Sequence, residues 1–525
     1  MGKLLAALLA ACVGALLLVG LVAAATVPAS GKAASSARHL SATASKGSVS
    51  VAIAGDPGKL DPQLTVLQNA RQVADFTYDT LVSQPPGGGK IVSGLASSWK
   101  VLSPLKVRFT LHKGITCSDG TKMTAGVVKK NLEFVADPKS NSPLAGLYVP
   151  LNSTVAANNK KRTVTVTFPS PNPFPLQGLG SVHMICAKGL ANRNLLVHGA
   201  DGTGPYKFVK VSPGSQYTLA LRKGYKWGPN GATSKGMPAK VVLKVVNNES
   251  TAANLLLTGG LNIAAVSGPD RARLEQHKLF KRSVLAEPGE LWFNENKGHA
   301  TASAAVRKGI VQALQLGQFG KVFTSGHGVP MKQLTLQTFA PCGGNSVQGN
   351  VPAHNLAAAK TALSGHPSLK LLYPNDGGSN FGSAMALAQA QLGAAGAQAT
   401  LDGVSTPNLQ AALFGTGDWD VALVPLGVSS PSQLVAFLSG PTPPNGANFG
   451  GIDNATYTKD AAKASNKTGA TGCNLWLSAE AAIFKHADLV PTSWNTLPLF
   501  GNGVKFNLGG EGVSPTSLRL ATKKK

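Results

Sequence analysis

The chain has 525 residues, of which 43% are hydrophobic and 14% charged; this composition excludes a disordered chain and allows two or three lobes. Its formal net charge is +26, from 49 basic and 23 acidic residues. The basic residues are scattered and no helix concentrates arginine beside aromatic residues. The charge therefore argues against nucleic-acid binding and indicates a solvated surface that faces an anionic membrane or cell wall.

The N-terminal segment is predicted to direct export. Lys3 precedes an unbroken apolar stretch from Leu4 to Ala25, and small residues that suit cleavage lie near its end. The stretch is also long enough to span a bilayer as an uncleaved anchor. Cys12 lies in a lipoprotein-like sequence, but the apolar residues after it argue against lipidation. We assign residues 1–25 to a signal peptide or N-terminal anchor and residues 26–47 to a linker.

The run from residue 94 to residue 133 predicts a strand, a turn and a helix in immediate succession. Trp99, which we expect to be buried, precedes alternating apolar residues, and Ser118-Asp119-Gly120 predicts a tight turn. Thr124 can cap the helix because its side-chain oxygen can accept from the free amides of the first turn. The apolar positions of the strand and helix are Val107, Phe109, Leu111, Val127, Val128 and Leu132.

Beyond about residue 350, predicted helices and strands alternate. This alternation predicts right-handed crossovers and a mainly parallel sheet, whereas the first half, with more alternating strands, is predicted to be mixed α+β. The predicted elements are a helix at 356–363, a strand at 369–373, a helix at 381–392, a strand at 397–404, a helix at 409–414 and a strand at 420–426.

Signatures of catalysis are missing from the sequence. It contains no GxSxG, GxxxxGK[ST] or HExxH pattern, and its ten histidines lack metal-ligand spacing. Asp418 and Asp420 flank Trp419 before an apolar strand, which favours a structural turn over an acid–base pair. We therefore predict a protein without catalytic residues, a metal site or a cofactor.

The run at 94–133 resembles a stretch shared by the extracytoplasmic solute-binding proteins of peptide-type ABC importers, the peptide, nickel and opine-binding family. Their pattern combines LA-x-SW, SDG and TA-xD-V-xx-N phrases, and Gly126 here replaces the usual acidic residue. Further matches extend the resemblance from about residue 49 to about residue 507. They include Leu60-Asp61-Pro62, Tyr78 to Val82, Gly202 to Tyr206, Trp292-Phe293-Asn294, Ala305 to Ile310 and Gly417 to Ala422.

The resemblance implies an α/β, two-lobed periplasmic-binding-protein-like fold of the cluster C type, with an extra subdomain in the first lobe. Crossings of the chain near residues 265–267 and 491–494 are expected to form a hinge. The expected division is lobe I at 48–83, 198–266 and 495–525, the extra subdomain at 84–197, and lobe II at 267–494.

The implied function is that of an extracytoplasmic receptor, which captures a small solute between its lobes and delivers it to the permease subunits of an ABC transporter. The solute is expected to be oligopeptide-like, an oligosaccharide or another polar metabolite, and the receptor a monomer without nucleic-acid partners. Two alternatives stay open. One is a receptor for a nickel chelate or other metallophore, and the other, of a different class, is a secreted hydrolase.

Four cysteines remain after the exported segment: Cys117, Cys186, Cys342 and Cys473. An even number in an oxidising compartment predicts pairing, and the absence of CxxC spacing argues against a zinc or redox site. Three connectivities are possible for four cysteines. The family layout places the first two in one lobe and the last two in the other, which implies the pairs Cys117–Cys186 and Cys342–Cys473.

The family layout also implies which residues line the ligand cleft. Aromatic faces with a few amide and hydroxyl groups suit a polar, uncharged solute. Trp292 is equally consistent with a core position, and Trp494 with packing at the hinge. The expected cleft residues are Gln68 or Asn69, Trp292, Asn294, Phe339, Ser429, Ser430 and Trp494.

The charge of the ligand is a further expectation. Peptide receptors of this family pair an aspartate with the ligand's α-ammonium group, in a phrase that corresponds here to residues 425–431. That stretch contains no carboxylate, and a buried cation needs a partner charge. We therefore expect a neutral or anionic solute.

Overall fold

The computed structural model describes residues 47–84, 89–336, 340–375, 380–509 and 512–521. The predicted export segment and nearly all of the linker lie outside these residues. No helix in the described ranges has the length and hydropathy that crossing a membrane requires.

The described chain is mixed α/β. Its strands are β1 Ser48–Ile53, β2 Val82–Ser83, β3 Val92–Ser93, β4 Ala96–Ser103, β5 Lys106–Leu111, β6 Thr154–Asn158, β7 Thr163–Thr167, β8 Tyr206–Ser212, β9 Gln216–Leu221, β10 Lys240–Val245, β11 Ile263–Ala265, β12 Phe280–Phe293, β13 Val329–Pro330, β14 Ser368–Pro374, β15 Gln398–Val404, β16 Val421–Leu423, β17 Leu489–Gly501, β18 Val504–Lys505 and β19 Arg519–Leu520.

The helices connect these strands and cover the faces of the sheets. They are α1 Gln68–Thr77, α2 Ala125–Ala136, α3 Pro175–Leu179, α4 Ala187–Ala191, α5 Glu249–Thr258, α6 Asp270–Gln276, α7 Ala304–Ala313, α8 Leu316–Phe323, α9 Leu356–Ala362, α10 Phe381–Ala394, α11 Thr406–Ala411, α12 Val435–Leu438, α13 Ala455–Ser465 and α14 Cys473–His486.

One large sheet organises the molecule. Its order is β15-β14-β16-β12-β17-β11-β1-β10-β9-β8, and β13 pairs with β17. The predicted parallel pairing is confirmed where β14 lies between β15 and β16. β12 and β17 depart from it, because they run antiparallel to each other and to their outer neighbours β16 and β11.

Two long strands carry this sheet from one half to the other. The first part of β12 pairs with the part of β17 that also pairs with β11, and the last part of β12 pairs with β16. The register between β12 and β17 is irregular between Leu285 and Glu290. Residues 284–288 of β12, with Trp494 and Leu497 of β17, lie at this irregularity or next to it and line the cleft described below, so the strand pair positions the candidate site.

The predicted elements beyond residue 350 are confirmed within a few residues. The strand expected at 420–426 is shorter and ends at Leu423. Pro425 lacks an amide hydrogen, and the amide of Leu426 donates to the carbonyl of Val424 at 2.9 Å, so the chain turns away from the sheet there.

A second, antiparallel sheet, β4-β5-β7-β6, contains the strands of the predicted run at 94–133, and the helix α2 follows them. Val107, Phe109 and Leu111 alternate into its core, as their spacing predicts. The hydroxyl oxygen of Thr124 accepts from the amide of Val127 at 3.3 Å, which confirms the cap of α2. Trp99 is half-buried rather than buried, because it lies on β4 at the margin of this core.

Both disulfides implied by the family layout are present in the structure. Cys117 is joined to Cys186, with Cα atoms 6.2 Å apart, and Cys342 to Cys473, with Cα atoms 5.2 Å apart. The first links the turn before α2 to the start of α4. The second links the segment before α9 to the first residue of α14.

Candidate ligand-binding cleft

A cleft with a volume of about 280 Å³ lies where three parts of the chain meet. We name these parts by their place in the sequence. The N-terminal group comes from segments 66–71, 82–84, 147–148 and 176–181, the strand group from 284–288, 494 and 497, and the C-terminal group from Leu336 and segment 425–433. Residues that are hundreds of positions apart therefore share one site.

The structure brings three of the expected cleft residues together. Gln68, the first residue of α1, lies in the N-terminal group, Trp494 in the strand group and Ser429 in the C-terminal group. Asn69 and Ser430 are neighbours of lining residues but do not line the cleft themselves. Phe339 lies outside the described residues.

Trp292 and Asn294 lie in the core instead of the cleft. Trp292 is fully buried, packs against Phe449 with ring centroids 4.8 Å apart, and donates from Nε1 to Glu290 at 3.2 Å. Asn294 is also fully buried, and its amide nitrogen donates to the backbone carbonyls of Gly417 and Trp419. These bonds hold the end of β12 against the neighbouring loop, which is a structural role.

Ser429 is held in place by a side-chain amide of the same turn. Its backbone amide and its hydroxyl both donate to Oε1 of Gln433, at 2.9 and 3.0 Å, and the amide of Ser430 donates to the same oxygen at 3.0 Å. The hydroxyl proton of Ser429 is thus engaged, while its oxygen can still accept. Gln433 also lines the cleft, so this turn presents polar groups to it.

Two uncharged side chains at the cleft have a buried polar atom with no hydrogen-bond partner among the described residues, and so does the guanidinium of Arg71 at Nη1, although its other atoms have partners. The two uncharged atoms are Nε1 of Trp494, a donor on a side chain that is fully buried, and Oε1 of Gln84, an acceptor. Leaving such a buried group unsatisfied costs about 1–3 kcal/mol. A polar ligand that accepts from the first or donates to the second offsets that cost.

Arg71 and Glu287 are the charged residues among those that line the cleft. The guanidinium of Arg71 donates to the carbonyl oxygen of Ser181 at 3.1 Å and lies 5.1 Å from the ring centre of Tyr148. Oε2 of Glu287 accepts from the side-chain amide of Asn495 at 3.2 Å. Burial raises the pKa of Glu287 to about 7, although this hydrogen bond acts in the opposite direction.

Sequence patterns did not identify either charged residue as part of the site. Arg71 is one of many basic residues, and Glu287 lies in a largely apolar part of β12, three residues before a second buried acid, Glu290. The signal available in the sequence was an acidic residue followed by proline inside a strand, since proline in a strand marks an irregular or edge position. The structure shows such an irregularity next to Glu287.

No group of three or more His, Cys, Asp or Glu residues in the described ranges is arranged to hold a metal ion.

The side chains of Asp418 and Asp420 have structural partners. Asp420 accepts from the backbone amide of Lys370 at 2.8 Å, and Asp418 accepts from the ammonium group of Lys370 at 2.8 Å. The pair therefore fastens the start of β16 to β14.

Comparison with known proteins identifies the family. The model for bacterial extracellular solute-binding proteins, family 5, matches residues 90–447, which is more than half of the chain. The chain belongs to this family.

Curated relatives of this family-5 protein are named as binding proteins. The probable D,D-dipeptide-binding periplasmic protein DdpA of Escherichia coli is 24% identical over 392 residues, which are 70% of this chain and 72% of that protein. The glutathione-binding protein GsiB of Pectobacterium atrosepticum is 25% identical over 253 residues, 46% of this chain. This second match spans 47% of GsiB, about half the length of that protein.

A solved structure supports the α/β fold of two-domain substrate-binding proteins. A substrate-binding protein from Microbacterium hydrocarbonoxydans, complexed with 4-hydroxybenzoate hydrazide, is 26% identical and has a TM-score of 0.70. The alignment covers 90% of this chain and 100% of that one. The expected fold class is therefore confirmed.

Proposed function

We propose that this protein is the extracytoplasmic substrate-binding receptor of an ABC importer, and that it captures a small polar solute in the cleft and delivers it to the permease as a monomer. The observation that carries this proposal is the cleft itself, which is lined by sequence-distant groups that meet at the β12–β17 strand pair. Family membership supports it. Residues 1–25 serve as the export signal or the membrane anchor.

Capture requires the two sides of the cleft to close. The irregular pairing of β12 with β17 between Leu285 and Glu290 is the position where the sheet can bend with the least loss of ladder hydrogen bonds. Trp494 pairs with Pro288 at this point. The hinge therefore lies at residues 285–290 and 491–497. Residues 265–267, the first crossing expected from the sequence, lie instead at the end of β11, beside β17.

We propose one lobe on each side of this hinge. β1, β8 to β11 and the second sheet precede it, and β14 to β16 lie beyond it in the large sheet. We propose 48–83, 198–284 and 495–525 for lobe I, 84–197 for its extra subdomain and 285–494 for lobe II. Residues 267–284, which were expected in lobe II, join lobe I because Leu274 packs with Ala252 and Phe500 and because the first part of β12 pairs with the last part of β17.

A peptide-like solute fits the lining of the cleft. Gln68, Gln84, Gln177, Ser429 and Gln433 offer amide and hydroxyl groups, which match the repeating donors and acceptors of a peptide. The names of the two curated relatives refer to a dipeptide and to glutathione.

The receptor role is tested by retained ligand and by compaction. Native mass spectrometry of protein from its own cells should detect a bound small molecule, and small-angle scattering should show a smaller radius of gyration with that molecule than without it. Ser429→Trp should abolish both signals by filling the cleft. Ser170→Trp, at an exposed loop position away from the cleft, is the matched control. An unchanged radius at saturating ligand, or turnover of the ligand, contradicts the proposal.

A further inference from the structure

The turn between β4 and β5 exposes two leucines at one end of the second sheet. Leu102 is 39% exposed and Leu105 is 41% exposed. Backbone hydrogen bonds hold this turn in place. The carbonyl oxygen of Leu105 accepts from the amide of Phe168 at 2.8 Å. The carbonyl oxygen of Pro104 accepts from the amide of Asn172, also at 2.8 Å. The two leucines are therefore presented to solvent by a fixed turn.

Three exposed basic side chains accompany these leucines on the outward face of the sheet. Lys100 on β4 lies opposite Arg108 on β5. Lys106 lies two residues before Arg108, and alternate side chains of a strand point to the same face. The guanidinium of Arg108 donates to the hydroxyl of Thr165 on β7 at 3.3 Å, so it lies across this face. The face is positively charged beside the leucines.

The sheet brings no acidic residue to neutralise this charge. Residues 96–111 and 154–167, which form its four strands and the turns of its two hairpins, contain neither aspartate nor glutamate. The turn between β6 and β7 adds three more basic residues at 160–162. The three basic side chains next to the leucines form no ion pair within the described ranges. Their charge is available to a partner.

The two leucines narrow the choice among anionic partners. A soluble glycan or polyphosphate offers little apolar surface that could cover a leucine. A bilayer offers both kinds of contact, because its anionic headgroups lie directly above the acyl chains. Lysine and arginine side chains are long enough to contact headgroup phosphates while neighbouring apolar side chains enter the boundary with the acyl chains.

We propose that the β4–β5 turn and the basic face beside it dock the protein on a membrane surface that contains anionic phospholipid. Leu102 and Leu105 enter the interface, and Lys100, Lys106 and Arg108 contact lipid phosphates. This contact holds the receptor at the membrane that contains its permease. The inference goes beyond the capture of a solute and does not depend on the cleft.

The experiment places a tryptophan at the turn. Full-length Leu102→Trp is mixed with vesicles of phosphatidylcholine, alone or with phosphatidylglycerol, whose brominated acyl chains quench nearby tryptophan. We expect more quenching than in wild type, only in the anionic vesicles, and its loss at about 1 M salt, where charges are screened beyond roughly 3 Å. Leu401→Trp, at a position of β15 that is 37% exposed, is the matched control and should gain no quenching.

Two sets of substitutions in the Leu102→Trp protein separate a specific surface from the general attraction of a basic protein. The first set should raise the phosphatidylglycerol concentration for half-maximal quenching roughly 100-fold, because each basic residue near an anionic bilayer strengthens binding roughly fivefold. The second set removes the same charge from exposed positions of lobe II and should raise that concentration by less than about fivefold. The sets are Lys100→Gln, Lys106→Gln and Arg108→Gln, and Lys360→Gln, Lys459→Gln and Lys463→Gln.

A single substitution tests the apolar contact. Leu105→Ser in the Leu102→Trp protein should raise the same concentration roughly tenfold, because a leucine no longer enters the interface. The proposal is overturned if anionic vesicles do not quench the tryptophan at the turn, or if the two charge sets weaken quenching equally. It is also overturned if Leu105→Ser changes nothing, which would indicate a soluble polyanion as the partner. None of these outcomes affects the receptor function, which retained ligand and compaction test separately.

Discussion

The buried acid Glu480 should make the stability of this protein depend on pH in an unusual direction. It lies on α14 with 4% exposure, where Oε2 accepts from the hydroxyl of Ser346 at 2.6 Å and from the amide of Leu334 at 3.4 Å. Burial raises its pKa from 4.5 to about 7, against the lowering effect of these two hydrogen bonds. Burial also raises the pKa of Glu290, and repulsion from Glu480 raises it further.

The sign and size follow from proton binding. Between about pH 4.5 and about pH 7 the folded protein binds the proton of Glu480 and the unfolded chain releases it, so the free energy of unfolding is largest at acid pH and falls as the pH rises. Raising the pKa from 4.5 to about 7 corresponds to about 3 kcal/mol. Glu480→Gln mimics the protonated form, so it should match wild type near pH 4 and exceed it in free energy of unfolding by about 3 kcal/mol near pH 8.

Urea-induced unfolding, followed by the fluorescence of Trp476 and the other tryptophans of the same core cluster, measures this difference at both pH values. Glu133→Gln serves as the control. Its free energy of unfolding should differ from that of wild type by the same amount at both pH values, because its side chain is exposed on α2. The assignment of a raised pKa to Glu480 is refuted if Glu480→Gln exceeds wild type in free energy of unfolding by the same amount at both pH values, or by more at acid pH.

Two further predictions concern the first lobe. Replacing Cys117 and Cys186 by alanine should lower the free energy of unfolding by roughly 4 kcal/mol, because their disulfide closes a long loop with a sequence separation of 69. Peptide mapping under non-reducing conditions checks the pairing, and a peptide that links Cys117 to any other cysteine contradicts it. Thr124→Ala should lower the free energy of unfolding by about 1 kcal/mol, because it removes the hydrogen bond from the amide of Val127, whereas Thr124→Ser should keep most of the wild-type stability; thermal unfolding measures both variants.

Local patterns predicted the elements of the fold well. Period-two spacing identifies Val107, Phe109 and Leu111 as one buried face, because successive side chains in a strand point to opposite sides. Thr124 marks the start of α2 because a helix leaves its first amides unpaired. Both signals act over a few residues, so the sequence contains them in full.

The candidate site was only partly predictable. Gln68, Ser429 and Trp494 line the cleft as the family layout implies. The same layout assigns Trp292 and Asn294 to the cleft, but it contains no information on which face of the sheet each side chain of β12 points to. Trp292 packs into one core while its neighbours Leu291 and Phe293 pack into another, on the opposite face. The pairing of β12 with β17, across about two hundred residues, decides this, and no local pattern encodes that register.

The sequence by itself determined the family, the secondary-structure order and, through the family layout, the cysteine pairs, since each depends on residue identity and short-range spacing. Only the tertiary structure decided that Glu287 lies at the cleft with Asn495 as its partner. The burial of Glu287, and with it the raised pKa, arises from segments that meet only after β12 has paired with β17, because desolvation is a property of the assembled surroundings and not of the residue alone.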